Sequence, residues 1–198
     1  MENDIVYAGF WRRFGAYWLD LVCLLPLVAI TLWLGGRYRL FHLYYLVPSI
    51  VVGLLFHVYL VFRFGGTPGK LILNTRIALL DGGRITFMSA VIRYSVLCVL
   101  SILSSLALVL ATLRMTDEQY LSLGFLDRGQ LMVSLAPPWY VAVHFLLNIW
   151  IWSEFVTMLF NKKRRAIHDF MACTVVIRTD RQLPSNYSIQ RTAGAILD

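Results

Sequence analysis

The chain has 198 residues, of which 59% are hydrophobic and only 15% are charged, and its mean hydropathy is +0.67. Soluble domains are about 45–50% apolar and about 25% charged, so this composition excludes an ordinary water-soluble globule and indicates an integral membrane protein. The net charge of +7 does not indicate a nucleic-acid partner, because no basic stretch is interleaved with exposed aromatic residues in the manner of a nucleic-acid reader, and an excess of basic residues on one side of a membrane explains the charge better.

Four apolar runs are each long enough to cross a bilayer, which requires roughly 20 apolar residues in a helix. The predicted spans cover residues 14–34, 41–62, 90–113 and 138–160. The sequence therefore predicts an all-α integral membrane protein, a bundle of four transmembrane helices. We expect a single membrane domain over residues 1–180, followed by a polar cytoplasmic tail over residues 181–198.

Basic residues are distributed unevenly between the two sides that these spans define. One side carries most of the Lys and Arg, whereas the other holds only Arg37, Arg39, Arg114 and Arg128. Because cytoplasmic loops carry the excess of basic residues, the N- and C-termini are both predicted to be cytoplasmic. We expect a multi-pass protein of the cell (inner) membrane, with the lipid bilayer as its immediate partner.

Two loop segments have the pattern of β-structure. Residues 76–80 and 84–87 are β-rich and flank Asp81-Gly82-Gly83, which has hairpin turn chemistry. Residues 174–177 read as a further strand, so we predict a small cytoplasmic three-stranded antiparallel element beneath the bundle. On the opposite side, residues 120–126 are predicted to form an amphipathic helix on the membrane surface.

The glycine-rich segment Gly66-Thr67-Pro68-Gly69-Lys70 superficially resembles a phosphate-binding loop. Leu71 follows the lysine where such a loop needs Ser or Thr, so we interpret the segment as a tight structural turn whose lysine contacts lipid headgroups. The pair His168-Asp169 has too few neighbouring ligands to indicate a metal site, and we expect it to anchor its loop to the strand that follows.

Three ionisable residues, Asp20, His57 and Glu154, lie inside the predicted spans. Such groups cost about 2.5–3.5 kcal/mol each on insertion scales, which makes each one a candidate functional residue. From a helical rise of about 1.5 Å per residue, all three lie about 9–11 Å from the cytoplasmic edge. We predict one polar cluster that binds a proton or cation, and Arg13, two turns before Asp20, is expected to join it. A structural clasp that fixes helix register fits the same residues.

Four separated motifs together resemble the RDD family over about residues 9–177. They are Arg13 with Ala16 and Asp20, Gly66-Thr67-Pro68-Gly69-Lys70, Asp81-Gly82-Gly83-Arg84, and Ala166-Ile167-His168-Asp169. The resemblance implies that Arg13, Asp20 and Asp169 are the namesake arginine and two aspartates. It also implies a role in transport, since some similar proteins are described as cation/proton antiporters. Glu154 and His57 are not part of the family motif.

Two functions of different classes remain open. In the first, a small transport or permeation protein binds a proton or a monovalent cation in alternation at Asp20 and Glu154. We expect this protein to form a homo-oligomer, because four helices make a thin wall. In the second, a membrane scaffold or assembly factor recruits a partner through its cytoplasmic face. An enzyme is not predicted, because no nucleophile with a base, nucleotide loop or metal set is recognisable, and no cofactor is expected.

Overall fold

The computed structural model describes residues 6–160 and 163–180, so the predicted tail lies outside the described residues. The chain is mostly helical and has two short strands. In chain order the elements are α1 Phe10–Arg37, α2 Phe41–Leu54, a π-helical turn Leu55–Tyr59, α3 Leu60–Phe64, α4 Pro68–Ile72, β1 Thr75–Leu79, α5 Phe87–Leu113, α6 Asp117–Ser122, α7 Phe125–Leu135, α8 Trp139–Leu159, α9 Ile167–Met171 and β2 Thr174–Arg178.

Four helical segments within the described residues are long and apolar enough to span a membrane, which confirms the four predicted spans. They are Phe10–Arg37, Phe41–Ile72, Phe87–Leu113 and Trp139–Leu159. Large apolar side chains such as Leu25, Trp33 and Val47 are exposed on their outer surfaces. This distribution is expected for helices whose outer solvent is hydrocarbon rather than water.

The helix α5 occupies the centre of the bundle, where it packs against α2 and α8, while α1 packs along α4. The second span does not run as one regular helix. A π-helical turn at Leu55–Tyr59 separates α2 from α3, and Gly65, in the left-handed conformation at φ 82°, ends α3. Such turns widen a helix locally and occur often at functional sites. His57 lies within this turn.

The β element has two strands rather than the predicted three. β1 pairs antiparallel with β2, with Thr75 opposite Arg178 and Leu79 opposite Thr174, which confirms that the C-terminal strand joins residues 76–80. The predicted strand over residues 84–87 is reduced to one bridge between Ala78 and Arg84. The reason is local, because the hydroxyl of Thr86 accepts the Ser89 N–H and so caps α5, which begins at Phe87.

An unpredicted segment before α1 lies along the free edge of β2. The Ala8 N–H donates to the Val176 carbonyl at 2.8 Å, and the Arg178 N–H donates to the Val6 carbonyl at 2.9 Å. Ala8 and Ile177 are fully buried there. Residues 6–8 are therefore attached to the sheet immediately before α1, which fixes the N-terminus of that helix next to β2.

At the end of the bundle opposite the sheet, two helices replace the single predicted helix over residues 120–126. α6 ends at Ser122 and α7 begins at Phe125, because Leu123 and Gly124 adopt extended backbone conformations. Thr116 and Gln119 form a capping box that starts α6. The buried hydroxyl of Tyr120 donates to the Gly35 carbonyl at 2.6 Å and attaches α6 to the end of α1.

The bond from Tyr120 predicts a measurable contribution to stability. In Tyr120→Phe the Gly35 carbonyl loses its buried donor, so the free energy of unfolding should fall by about 1–3 kcal/mol. Thermal unfolding of the purified protein in detergent should show a lower Tm. The matched control is Tyr44→Phe, since Tyr44 is 72% exposed. Equal Tm values for the two variants would contradict this role for Tyr120.

Candidate functional site

The most deeply buried charge at the sheet end of the bundle is Asp169, whose side chain is fully inaccessible. Arg13 of α1 donates to one carboxylate oxygen at 2.7 Å, and Arg93 of α5 donates to the other. Both guanidinium groups are at least nine-tenths buried. One carboxylate on α9 therefore joins two spanning helices that are distant in sequence.

Asp169 also organises its own segment of the chain. It accepts the Ala166 N–H at 2.9 Å and the Thr174 hydroxyl at 3.3 Å, so it connects the start of α9 to the start of β2. Burial alone would raise the pKa of Asp169, but the neighbouring Arg93 and Arg13 hold this pKa well below its usual range. The carboxylate therefore stays ionised, and through Thr174 it connects its loop to the strand that follows.

Asp20 caps a different helix. Its two oxygens accept the Thr67 hydroxyl at 2.6 Å and the Gly69 N–H at 2.7 Å. Both donors belong to the first turn of α4 or its cap, where backbone N–H groups have no partner within the helix. The buried carboxylate of Asp20 on α1 therefore fixes the short helix α4 against the first span.

This contact explains the residues of the glycine-rich motif. Pro68 occupies the first turn of α4, where its missing N–H is not needed. A Cβ on Gly69 would clash with the Ala16 carbonyl oxygen, so only glycine permits α1 and α4 to approach this closely. The predicted ion network between Arg13 and Asp20 is not formed, because Arg13 donates to Asp169 and to the Arg164 carbonyl instead.

The three ionisable residues predicted to cluster line one cavity of about 260 Å³. Asp20, His57 and Glu154 contribute to it from the first, second and fourth spans. Lys70, Arg93 and His168 also line the cavity, so it contains both signs of charge. Lys70 therefore lies at the wall of a polar cavity and donates weakly to Thr67 at 3.4 Å, and its contact with lipid headgroups stays a prediction.

Within this cavity, the contact between Glu154 and His168 contributes less to holding the secondary-structure elements together than the contacts of Asp20 and Asp169 do. Nε2 of His168 lies 3.2 Å from a carboxylate oxygen of Glu154 and 3.7 Å from Asp169. Burial lowers the pKa of His168 to about 4, although Glu154 opposes this shift. His168 is therefore neutral at physiological pH, and its N–H can serve as a hydrogen-bond donor to Glu154.

His57 is held in place by an aromatic stack. Its ring lies 4.8 Å from that of Tyr94, with an angle of 14° between the planes. The hydroxyl of Tyr94 approaches Gly53 so closely that a side chain there would clash with it. The π-helical turn and the small residue Gly53 thus place His57 over Tyr94 at the cavity wall.

The sequence pattern did not reveal Arg93 or Tyr94 as part of the site. Arg93 lies inside the predicted span 90–113, and it is as unusual there as Asp20 or Glu154. The sequence shows only a basic residue near the start of a span, which is consistent with the charge asymmetry and does not indicate the pairing with Asp169. Residues 6–160 and 163–180 contain no group of three or more His, Cys, Asp or Glu side chains arranged to hold a metal ion.

The Asp169 contacts predict that Asp169→Asn severely destabilises the protein. The substitution leaves two buried guanidinium groups without their anion, and breaking such buried pairs costs about 3–5 kcal/mol. Thermal unfolding in detergent and the yield of monodisperse protein should both fall sharply. The control is Asp180→Asn, which removes a partly exposed carboxylate paired with Arg12 and Arg178. Similar losses in the two variants would contradict the central role of Asp169.

The pKa of His168 predicts a specific acid sensitivity. Because this pKa is about 4 in the folded protein and about 6.5 when unfolded, the unfolded state binds more protons below pH 6.5. Stability should therefore be lost as the pH falls from about 6.5 towards 4, by about 2 kcal/mol between pH 7 and pH 5.

The Tm difference between pH 7 and pH 5 should accordingly be smaller in His168→Gln than in the wild type. His144→Gln, which changes an exposed histidine of α8, is the matched control and should keep the wild-type difference. An unchanged difference in His168→Gln would show that other groups cause the acid sensitivity.

Comparison with known proteins agrees with the motifs around this site. No curated protein and no solved structure matches the chain. The model of the RDD family matches residues 7–173, which include Arg13, Asp20 and Asp169 and cover most of the chain. This protein, with its four apolar helices and its buried arginine and aspartate contacts, belongs to the RDD family of membrane proteins.

Proposed function

We propose that this chain is a small transport protein that exchanges a proton for a monovalent cation through the cavity at the sheet end of the bundle. The observation that carries the proposal is that Asp20, His57 and Glu154, from three different spans, line the same 260 Å³ cavity. Isolated charges within hydrocarbon are costly, and ionisable side chains gathered around a cavity mark ion and proton pathways in membrane proteins.

Glu154 is the carboxylate best suited to exchange. Asp20 accepts two hydrogen bonds that hold α4, and Asp169 binds two arginines, so neither can release its partners without loosening the fold. Glu154 contacts the neutral His168, and its side chain remains 29% exposed. A carboxylate can bind either a proton or a cation but not both with full strength, so the two ligands compete at this position.

Histidines supply the proton route in this proposal. His168 lies 3.2 Å from Glu154, and His57 lines the same cavity from the second span. An imidazole can accept a proton at one nitrogen and release one from the other, which suits it to relay protons to and from a carboxylate in the same cavity. Lys70 supplies a positive charge that accompanies ionised Glu154 before a cation enters.

The proposed setting is the cell (inner) membrane, with the sheet end of the bundle and both termini on the cytoplasmic side. The excess of basic residues on that side supports this orientation. We also propose a homo-oligomer within the lipid bilayer, because four helices enclose little volume and a second copy would seal the cavity from lipid.

A second candidate function is a membrane scaffold that recruits a partner through its cytoplasmic face. The favouring observation is that Arg13, Arg93, Asp20 and Asp169 all have partners that join secondary-structure elements. In this case Glu154 and His168 complete the same structural clasp. Transport activity distinguishes the two candidates, since a scaffold requires no movement of ions.

The test is transport by protein reconstituted in liposomes that contain a trapped pH indicator. With an imposed acid-inside gradient, addition of Na⁺ or K⁺ outside should collapse the gradient for the wild type. Glu154→Gln should slow the collapse at least about tenfold, since the amide replaces a charge-assisted contact that binds the proton or cation. Glu118→Gln, on the exposed part of α6, is the matched control.

Equal rates for the wild type and Glu154→Gln would eliminate the proposed exchange site. Absence of cation-dependent collapse in the wild type, in protein that is folded and monodisperse, would favour the scaffold. Co-purification of one stoichiometric partner that survives Glu154→Gln would support that second function directly.

A further inference from the structure

A second and larger cavity lies at the opposite end of the bundle from the sheet. Its volume is about 680 Å³, within the range of about 300–1,000 Å³ typical of ligand-binding clefts. It lies between the end of α1, the start of α2, the end of α5, the helix α7 and the start of α8. The residues of the exchange cavity do not contribute to it.

The wall of this cavity is mainly apolar and reaches the protein surface. Leu32, Phe125 and Leu126 line it, and they are 55%, 65% and 74% exposed. Met132 and Leu108 provide further apolar wall. Leu32 and Leu108 lie near the ends of the first and third candidate spans, so the cleft is at the level where the spans end.

A cationic side chain lies in the same wall. The guanidinium of Arg128 is 4.9 Å from the ring of Tyr120 and makes only long hydrogen bonds, to the Gly36 carbonyl at 3.3 Å and the Tyr120 carbonyl at 3.5 Å. Within the described part of the chain no carboxylate lies within 4 Å of it, whereas Arg39 at this end pairs with Asp117. Arg128 therefore brings an uncompensated positive charge to an apolar cleft.

We propose that this cavity binds one anionic phospholipid, with an acyl chain in the apolar cleft and the phosphate on Arg128. The occupant must be apolar along most of its length and negative at one end, which is the chemistry of such a lipid. Guanidinium groups bind phosphate through paired N–H donors and lose less hydration than an ammonium does. The polar side chains of His42 and Tyr140 also line the cavity and provide further hydrogen-bonding groups for a headgroup.

Gly129 offers a substitution that blocks the cleft without disturbing its wall. It lines the cavity on α7, and a Cβ at this position would meet no atom within 4 Å apart from its chain neighbours and the backbone of its own helix. The bulky Gly129→Phe therefore projects into empty space and should occupy the place of the acyl chain. Gly129→Ala leaves that space open and is the matched control.

The experiment is native mass spectrometry of the full chain in detergent, with phosphatidylglycerol or phosphatidylcholine of identical acyl chains added. The wild type should retain one phosphatidylglycerol, with an affinity about tenfold above that for phosphatidylcholine, as expected for one charge-assisted contact. Arg128→Gln should remove this preference and Arg128→Lys should keep part of it. Gly129→Phe should lose the bound lipid, while Gly129→Ala should retain it.

Three outcomes would overturn the proposal. They are equal retention of the two lipids by the wild type, an unchanged preference in Arg128→Gln, and retention of phosphatidylglycerol by Gly129→Phe with an unaltered Tm. Preferential retention of a free fatty acid or of inorganic phosphate in parallel titrations would assign the cavity to another ligand. Transport by Glu154→Gln tests the other end of the bundle, so the two proposals can fail separately.

Discussion

The fold depends most on the carboxylate of Asp169 between Arg13 and Arg93. Spanning helices gain no hydrophobic free energy by associating in hydrocarbon, so packing and polar contacts must hold them together. Here one anion on α9 binds a cation from the first span and another from the third. Through Thr174, the same anion also fixes the start of β2. The sheet and two helices are thereby joined through a single buried group.

Asp20 acts at a second junction, and the smaller cavity lies beside these two carboxylates. Asp20 holds α4 through Thr67 and Gly69, which places Lys70 in the cavity wall. Asp20 and Asp169 thus both hold secondary-structure elements together, whereas Glu154 contacts only His168 among the ion pairs of the described residues. In the proposed exchange, this division would explain how a site can contain many charges while only one contact is suited to exchange ligands.

Much of this arrangement could be predicted from sequence where the signal is local. Apolar run length gave the four spans, and helical rise brought Asp20, His57 and Glu154 to one level, where they now line one cavity. The strand predicted over residues 84–87 failed because the cap of α5 at Thr86 competes for the same residues. The pairing of Arg93 with Asp169 crosses 76 positions, and no periodicity within one segment records such a contact.

Helix α1 contributes side chains to the cavities at both ends of the bundle. Near its start it carries Arg13 and Asp20, and near its other end it provides Leu32 and Gly35 to the larger cavity. Asp20 and Leu32 are separated by about 18 Å at the rise of an α-helix, which exceeds the reach of direct contact. The second, third and fourth spans also line both cavities, so a lipid bound near Arg128 can influence the smaller cavity by shifting α1 or another of these spans as a unit, or by changing how they pack. Gly69 restricts such movement, because the close approach of α4 to Ala16 leaves the first helix little freedom at the sheet end.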